Sequence, residues 1–334
     1  MAHAAIMDAF DPQAIAQAAA VIRGGGLVAF PTETVYGLGA DAANPVAVAR
    51  IFEAKRRPYL DPLIVHVAAP EEARLYGNFP EGVAEELMRK FWPGPLTLVV
   101  PRTWRVPPIV TAGLDTVAIR MPRHPAALAL IAAAGCALAA PSANLFGFMS
   151  PTTARHVADQ LSERVDLILD GGSSSVGIES TILALTDIRP VILRFGGTTP
   201  EALHEVAGEV AWAAAAGDRP QAPGQLPSHY ATRTPLQVLE AAAPGAEPRS
   251  GERVGLLAYM DPGAPEGYAA IEVLSPSGDL RIAAANLFGA LHRLDRLQLD
   301  RLVAYPVPEQ GLGIAIMDRL RRCAAGRERS GTRS

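Results

Sequence analysis

The sequence predicts an α/β protein of two domains, with a mixed sheet in the first. Three observations lead there. Short apolar strands interleave with amphipathic helical stretches along most of the chain. Two strand candidates, near residues 181 and 191, are joined by a loop too short for a parallel crossover, so that pair is expected to be antiparallel. The 334 residues exceed one typical domain, and the pattern breaks after about residue 207.

Residues 11–26 read as a helix. Asp11 can cap it, Pro12 suits the first turn, and Ile15, Ala18, Ala19 and Ile22 form one face. Gly24, Gly25 and Gly26 end it. Residues 27–30 are a short strand stopped by Pro31. Asn44 and Pro45 open a second helix through Val48, Ile51 and Phe52. Further strands are expected at 63–67, 116–121, 138–141, 167–169, 181–185 and 191–193. The stretch 213–235 holds four prolines and little periodicity, as a linker would. A second α/β pattern follows: strands at 254–259, 271–274 and 302–305, helices at 279–297 and 313–323, and a polar tail at 327–334. The expected boundaries are therefore 1–207, 208–235 and 236–334.

Composition narrows the function classes. Apolar residues make up 49% and charged residues 19%, enough for sizeable cores. A net charge of -4 argues against a general nucleic-acid coat, which needs clustered Lys and Arg. The two cysteines form no CxxC pair, which argues against a disulfide framework and a cysteine zinc site. Cys136, in the run AAAGCALAAP, is expected to be a buried thiol. No secretory leader and no long apolar span is visible, so a cytoplasmic location is expected.

Familiar phosphate loops and hydrolase motifs are missing: no GxxxxGK[ST], no strand-linked GxGxxG, no HExxH and no GxSxG. What remains are polar residues at strand ends and in loops. PTETVYGLG follows the first strand, Lys55-Arg56-Arg57 ends a helix, and His66 interrupts an apolar strand. Each has a plain explanation. The three cations can complement a helix dipole, His66 can be a core histidine, and Thr32, Thr34, Ser142 and Asn144 can form turns. Arg120 and Arg194 resist such explanations. Each is flanked by apolar residues and is costly to bury without an anionic partner. Together with Lys55, Arg57 and several hydroxyls they suggest a pocket for a polyanion.

These strings resemble the YrdC family, in its long, two-domain threonylcarbamoyl-AMP synthase form. PTETVYGLG, IFEAKRRP, PLIVHV, WPGPLTLV, TAGLDTVAIRMP, APSAN, SPT, GIESTI and ILR stand in the family's order and spacing. APGQLPSHYA, ANLFGALHRLDRL and GLGIAIMDR extend the match through the long form's linker and tail. The resemblance implies an open, twisted sheet with a deep basic cavity, followed by a smaller Rossmann-like domain. It implies synthesis of L-threonylcarbamoyl-AMP from L-threonine, bicarbonate and ATP, for modification of a tRNA adenosine next to the anticodon. Lys55 and Arg57 would face the ATP phosphates as the catalytic pair, and Asp61 would lie near them. Thr116, Ser142, Asn144, Ser150 and Arg194 would contact the nucleotide, with Tyr230 closing over it. Thr34, His66, Arg120, Ser180 and the backbone at Ala140 would hold threonine. Mg2+ would come with ATP, and a tRNA-modifying transfer machinery would take the product.

The chain departs from the family pattern at Asp61, where Asn is usual, at Arg56, and at Phe146-Gly147 and Leu226-Pro227-Ser228. Asp61 would repel phosphates unless it binds Mg2+ or turns away. Two rivals are weaker. A non-enzymatic RNA-binding module conflicts with the acidic charge, and a hydrogenase-maturation carbamoyl transferase would need modules for which this chain has no room.

Overall fold

The computed structural model describes residues 3–213, 220–225, 230–239, 248–263 and 265–325. The chain divides into two compact units. The first comprises Met1–Phe146, Pro151–Ser175 and Glu179–Leu226, and the second Gly147–Ser150, Val176–Ile178 and Pro227–Ser334. The polar tail at 327–334 and the positions 214–219 and 226–229 within the expected linker lie outside the described residues.

The elements run β1 (Ala5–Asp8), α1 (Pro12–Arg23), β2 (Val28–Phe30), β3 (Gly37–Asp41), α2 (Pro45–Lys55), β4 (Ile64–His66), α3 (Pro70–Ala73), α4 (Val83–Phe91) and β5 (Leu96–Pro101). They continue with β6 (Thr116–Arg120), α5 (Pro125–Ala134), β7 (Leu138–Ala139), α6 (Ala154–Leu161), β8 (Leu167–Asp170), β9 (Thr181–Ala184), β10 (Val191–Arg194), α7 (Pro200–Ala207) and β11 (Ala211–Trp212). The later part holds β12 (Leu236–Val238), β13 (Val254–Ala258), β14 (Ala270–Val273), α8 (Leu280–Asp295), β15 (Arg301–Ala304) and α9 (Leu312–Ala325).

The first unit carries an 11-stranded mixed sheet in the order β1-β8-β2-β3-β7-β4-β6-β5-β9-β10-β11. β9 and β10 form the expected antiparallel pair. The second unit carries an all-parallel sheet, β12-β15-β13-β14, with α8 and α9 between and after its strands. Mixed sheet and smaller parallel domain agree with the fold class expected from the sequence.

Local chemistry explains the helix ends. The Asp11 carboxylate caps α1 by accepting from the Gln13 N–H, and Gly24 terminates it. Asn44 accepts from the Val46 and Ala47 N–H groups at the start of α2. α2 ends at Arg56 in the left-handed region, φ 52°. That turn leaves Arg56 exposed and carries both Lys55 and Arg57 inward.

Alternation along the strands divides the first unit's core by face. One face (Ala29, Val65, Val117, Ile119, Ala139) meets α2, α4, α6 and α7 through Val48, Phe52, Leu87, Val157, Leu161 and Leu203. On the opposite face, α1 and α5 cover only the part around Val28, Phe30, Leu138 and Leu167. The remainder of that face, around Ile64, Val99, Ala118 and Ile182, packs instead against Ala222. No described helix covers it, and polar groups therefore have room there.

Several strands escape a sequence reading. β3 falls within PTETVYGLG and its continuation, where the sequence reading places no strand. Its Gly37 and Gly39 both lie against the Phe30 ring, which would sit 3.0 and 2.8 Å from a Cβ at those positions. β1, β5, β11 and β12 were also not expected. Cys136, expected to be buried, is only half-buried, because it follows the Gly135 turn that ends α5.

Gly196 shows how tightly the end of β10 meets the start of β9. A methyl group there would overlap the Glu179 carbonyl and the Ser180–Thr181 peptide. Gly196→Ala is expected to cost about 1–3 kcal/mol of stability by overpacking. Urea unfolding of the variant measures this, and an unchanged midpoint would contradict it.

Candidate active site

The uncovered face gathers its polar groups by register. β4 and β6 are parallel with His66 opposite Arg120, and His66 is also opposite Leu138 of β7. Ala140 donates its N–H to the Ile64 carbonyl at 2.9 Å. Thr116, Ala118 and Arg120 alternate onto this face, so β6 runs along it for about 13 Å at ~3.3 Å per residue. β5 sets Thr97 beside β9, where its hydroxyl meets the Ser180 hydroxyl at 2.7 Å.

Arg194 reaches the same face through an irregularity. Ile192 is opposite Leu183 and packs on the helix-covered side, yet Arg194 is opposite Ile182, which belongs to the uncovered side. The register shift between them inserts one residue and reverses the alternation, as a β-bulge does. Arg194 then donates Nε and Nη2 to the Ser180 carbonyl at 3.1 and 2.9 Å, and Nη2 to the Ser180 hydroxyl at 3.1 Å.

Four cations are buried among the described residues of this unit: Lys55, Arg57, Arg120 and Arg194. Lys55, 1% exposed, donates Nζ to the carbonyls of Ser142 and Asn144 at 2.6 and 2.5 Å. It is thus no surface complement to a helix dipole. Arg57 is ion-paired with Asp61 at 2.9 Å and donates to the Asp61 and Pro62 carbonyls. Asp61 therefore turns toward a protein cation. Burial raises its carboxyl pKa, opposed by Arg57, Lys55 and Arg194. Burial, then the charge of Arg57, pulls the Lys55 ammonium pKa down, and Asp61 opposes that pull. Arg120 donates Nε to the Gly94 carbonyl at 3.1 Å and Nη1 to the Thr34 hydroxyl at 2.9 Å, and lies 2.7 Å from the buried Glu33 carboxylate.

These contacts bring the expected residues together in two adjoining groups. Thr34, His66, Arg120, Ala140 and Ser180 share the strand ends. Lys55, Arg57, Asp61, Ser142 and Asn144 cluster at the end of α2, and Arg194 adjoins both through Ser180 and Asp61. Thr116, half-buried, stands at the far end of β6. The segment 220–225 lies over this face: Pro223 accepts from Arg194 Nη1 at 3.1 Å, and Gln225 donates to the Leu193 carbonyl at 3.3 Å. Ser150 and Tyr230 fall in the second unit. There the Ser150 carbonyl meets His292 Nε2 at 3.2 Å, and Tyr230 is buried between Phe288 and Arg319, 5.6 and 5.3 Å from its ring.

Comparison with known proteins decides what this set belongs to. A family model described as "Telomere recombination" matches residues 20–196, and one described as "Threonylcarbamoyl-AMP synthase, C-terminal domain" matches residues 198–325. A Bacillus subtilis threonylcarbamoyl-AMP synthase is 45% identical over 328 residues, spanning 95% of this chain and 94% of that protein. The chain belongs to the threonylcarbamoyl-AMP synthase family. The crystal structure of Pyrococcus abyssi Sua5 complexed with L-threonine superposes with a TM-score of 0.89 at 40% identity, covering 97% of this chain and 98% of that one. A Pyrococcus abyssi threonylcarbamoyl-AMP synthase is 43% identical over 93% of this chain and 94% of its own length.

Sequence reasoning gave no role to Glu33 or Thr97. The signal for Glu33 was present: an arginine buried among apolar residues demands a carboxylate, and PTETVYGLG supplies one. Thr97 left no such signal. Among the described residues no three His, Cys, Asp or Glu side chains form a metal-binding group, and no helix is long and apolar enough to cross a membrane.

His66 is held neutral. Burial, then the charge of Arg120, lowers its pKa from 6.5 to about 3. As pH falls the unfolded chain takes up the proton first. Stability from this group is complete above about pH 6.5 and is lost toward about pH 3, at about 1.4 kcal/mol per unit. His66→Asn removes that slope. The stability gap between wild type and variant should shrink between about pH 7 and pH 4.5 in denaturant titrations, and a constant gap would show that His66 is not buried neutral.

Proposed function

We infer that this protein makes L-threonylcarbamoyl-AMP and pyrophosphate from L-threonine, bicarbonate and ATP, as a nucleotidyltransferase. The observation that carries this is the convergence of Arg120 and Arg194, with hydroxyl and backbone groups, on one uncovered sheet face, adjoined at the end of α2 by Lys55 and Arg57. The structures and names of the relatives support it: one relative is a Sua5 holding L-threonine.

The chemistry suits such a site. Threonine's free amine and bicarbonate give a carbamate and water, and a carbamate oxygen attacks the α-phosphorus of ATP while pyrophosphate leaves. The nucleophile is already an anion, so no activated serine or cysteine is required. The barrier lies in joining two anions, which positioning and fixed positive charge lower. In this reading Lys55 and Arg57 hold the phosphates as the catalytic pair. Arg194, Thr116, Ser142 and Asn144 complete the nucleotide contacts within the first unit. Asp61 keeps Arg57 in place and borders the phosphates. Arg120, Thr34, His66, Ser180 and the Ala140 backbone hold threonine. Mg2+ arrives with ATP as part of the substrate.

The domain reading goes with this: residues 1–207 are catalytic, 208–235 are a linker that covers the site, and 236–334 form the second domain. The mixed anhydride hydrolyses readily, so a covering segment protects it. The product serves modification of a tRNA adenosine next to the anticodon, in the cytoplasm, through a transfer machinery that accepts the adenylate.

Pyrophosphate release from ATP is expected only when threonine and bicarbonate are both present, with threonylcarbamoyl-AMP seen by mass spectrometry. Equal release without an amino acid would refute the substrate assignment. Arg120→Met is expected to raise the KM for threonine, and Arg194→Met that for ATP, each by about 10–100-fold, the scale of one charge-assisted hydrogen bond. Steady-state kinetics with each substrate varied would expose a reversed pattern.

A further inference from the structure

Two buried atoms beside His66 stand out. Glu33 Oε1 lies 2.7 Å from Arg120 Nη2, within ion-pair range. Neither atom has a hydrogen bond of acceptable geometry, although both are shielded from solvent. Their other groups are engaged. Glu33 Oε2 accepts from the Arg123 N–H at 3.0 Å, while Arg120 uses Nε and Nη1 on Gly94 and Thr34. One carboxylate oxygen and one guanidinium nitrogen are thus left side by side with capacity to spare. A carboxylate oxygen can accept more than one hydrogen bond and a guanidinium Nη carries two N–H groups, so the ion pair leaves each atom able to take a ligand as well.

We infer that Glu33 recognises the substrate's ammonium, so that the Arg120–Glu33 pair receives both charges of an α-amino acid. This rests on the reading of Arg120 as the anchor for the threonine carboxylate. An amino acid carries its two charges on groups bonded to one carbon, so their receptors must be neighbours, as these are. A pair of opposite fixed charges is also complementary to a zwitterion of no net charge. A hydroxy acid lacking the amine offers Arg120 an anion but leaves Glu33 to repel it. After carbamoylation the nitrogen keeps one N–H, which still donates to the same oxygen.

The test compares L-threonine with (R)-3-hydroxybutanoate, which has the same carboxylate and hydroxyl but no amine, by calorimetry on the full chain. Wild type is expected to prefer threonine by about 10–100-fold, the scale of one charge-assisted hydrogen bond. Glu33→Gln should reduce that preference to within about threefold, and Glu33→Asp, which keeps the charge, should retain most of it. Thermal melts confirm that each variant is folded. If Glu33→Gln weakens both ligands equally, Glu33 only props up Arg120 and the inference fails while the threonine site stands. If wild type binds neither ligand, the site reading and the inference fall together.

Discussion

The burial of positive charge is the constraint to which the rest of the first unit answers. Lys55, Arg57, Arg120 and Arg194 are all withdrawn from water, and an unpaired buried cation would neutralise or unfold its surroundings. The protein meets this demand in two ways. Arg57 and Arg120 each have a carboxylate, Asp61 and Glu33. Lys55 and Arg194 donate to carbonyl oxygens, whose dipoles stabilise a charge without cancelling it. Lys55 and Arg194 therefore keep uncancelled charge, while Arg57 and Arg120 are balanced by their carboxylates.

Strand register converts that chemistry into geometry. A single slip of β6 would send Thr116, Ala118 and Arg120 to the helix-packed side. β10 contains such a slip by design of its backbone: the bulge before Arg194 reverses the alternation and turns this arginine to the uncovered face. The two helices α1 and α5 stop short of that half of the sheet, and Ala222, from the last described segment of the first unit, packs on it. An open face, a reversed strand and a crossing segment together make the enclosure.

Much of this was legible in the sequence because it is local. The caps Asp11 and Asn44, the apolar periodicity, and the short 181–191 connection all declare themselves within a few residues. So did the site strings, whose order carries the family. What depends on distant packing was hidden. β3 is one such element, since its glycines Gly37 and Gly39 answer to the distant ring of Phe30. Whether Asp61 borders phosphates, binds Mg2+ or turns away is not decided by the sequence, because its partner Arg57 turns inward only through the left-handed residue Arg56. The bulge before Arg194 leaves no mark in composition, since VILR reads as an ordinary strand.

The carbonyl of Pro223 on Arg194 has a further consequence. In the proposed nucleotide site, a phosphate oxygen reaching that nitrogen would first have to displace a neutral backbone acceptor. Any measured nucleotide affinity is then a difference between two bonds to the same donor, with the intramolecular one worth about 1.5–3 kcal/mol for a charged donor. On that proposal the Pro223 carbonyl would compete weakly with the nucleotide for Arg194.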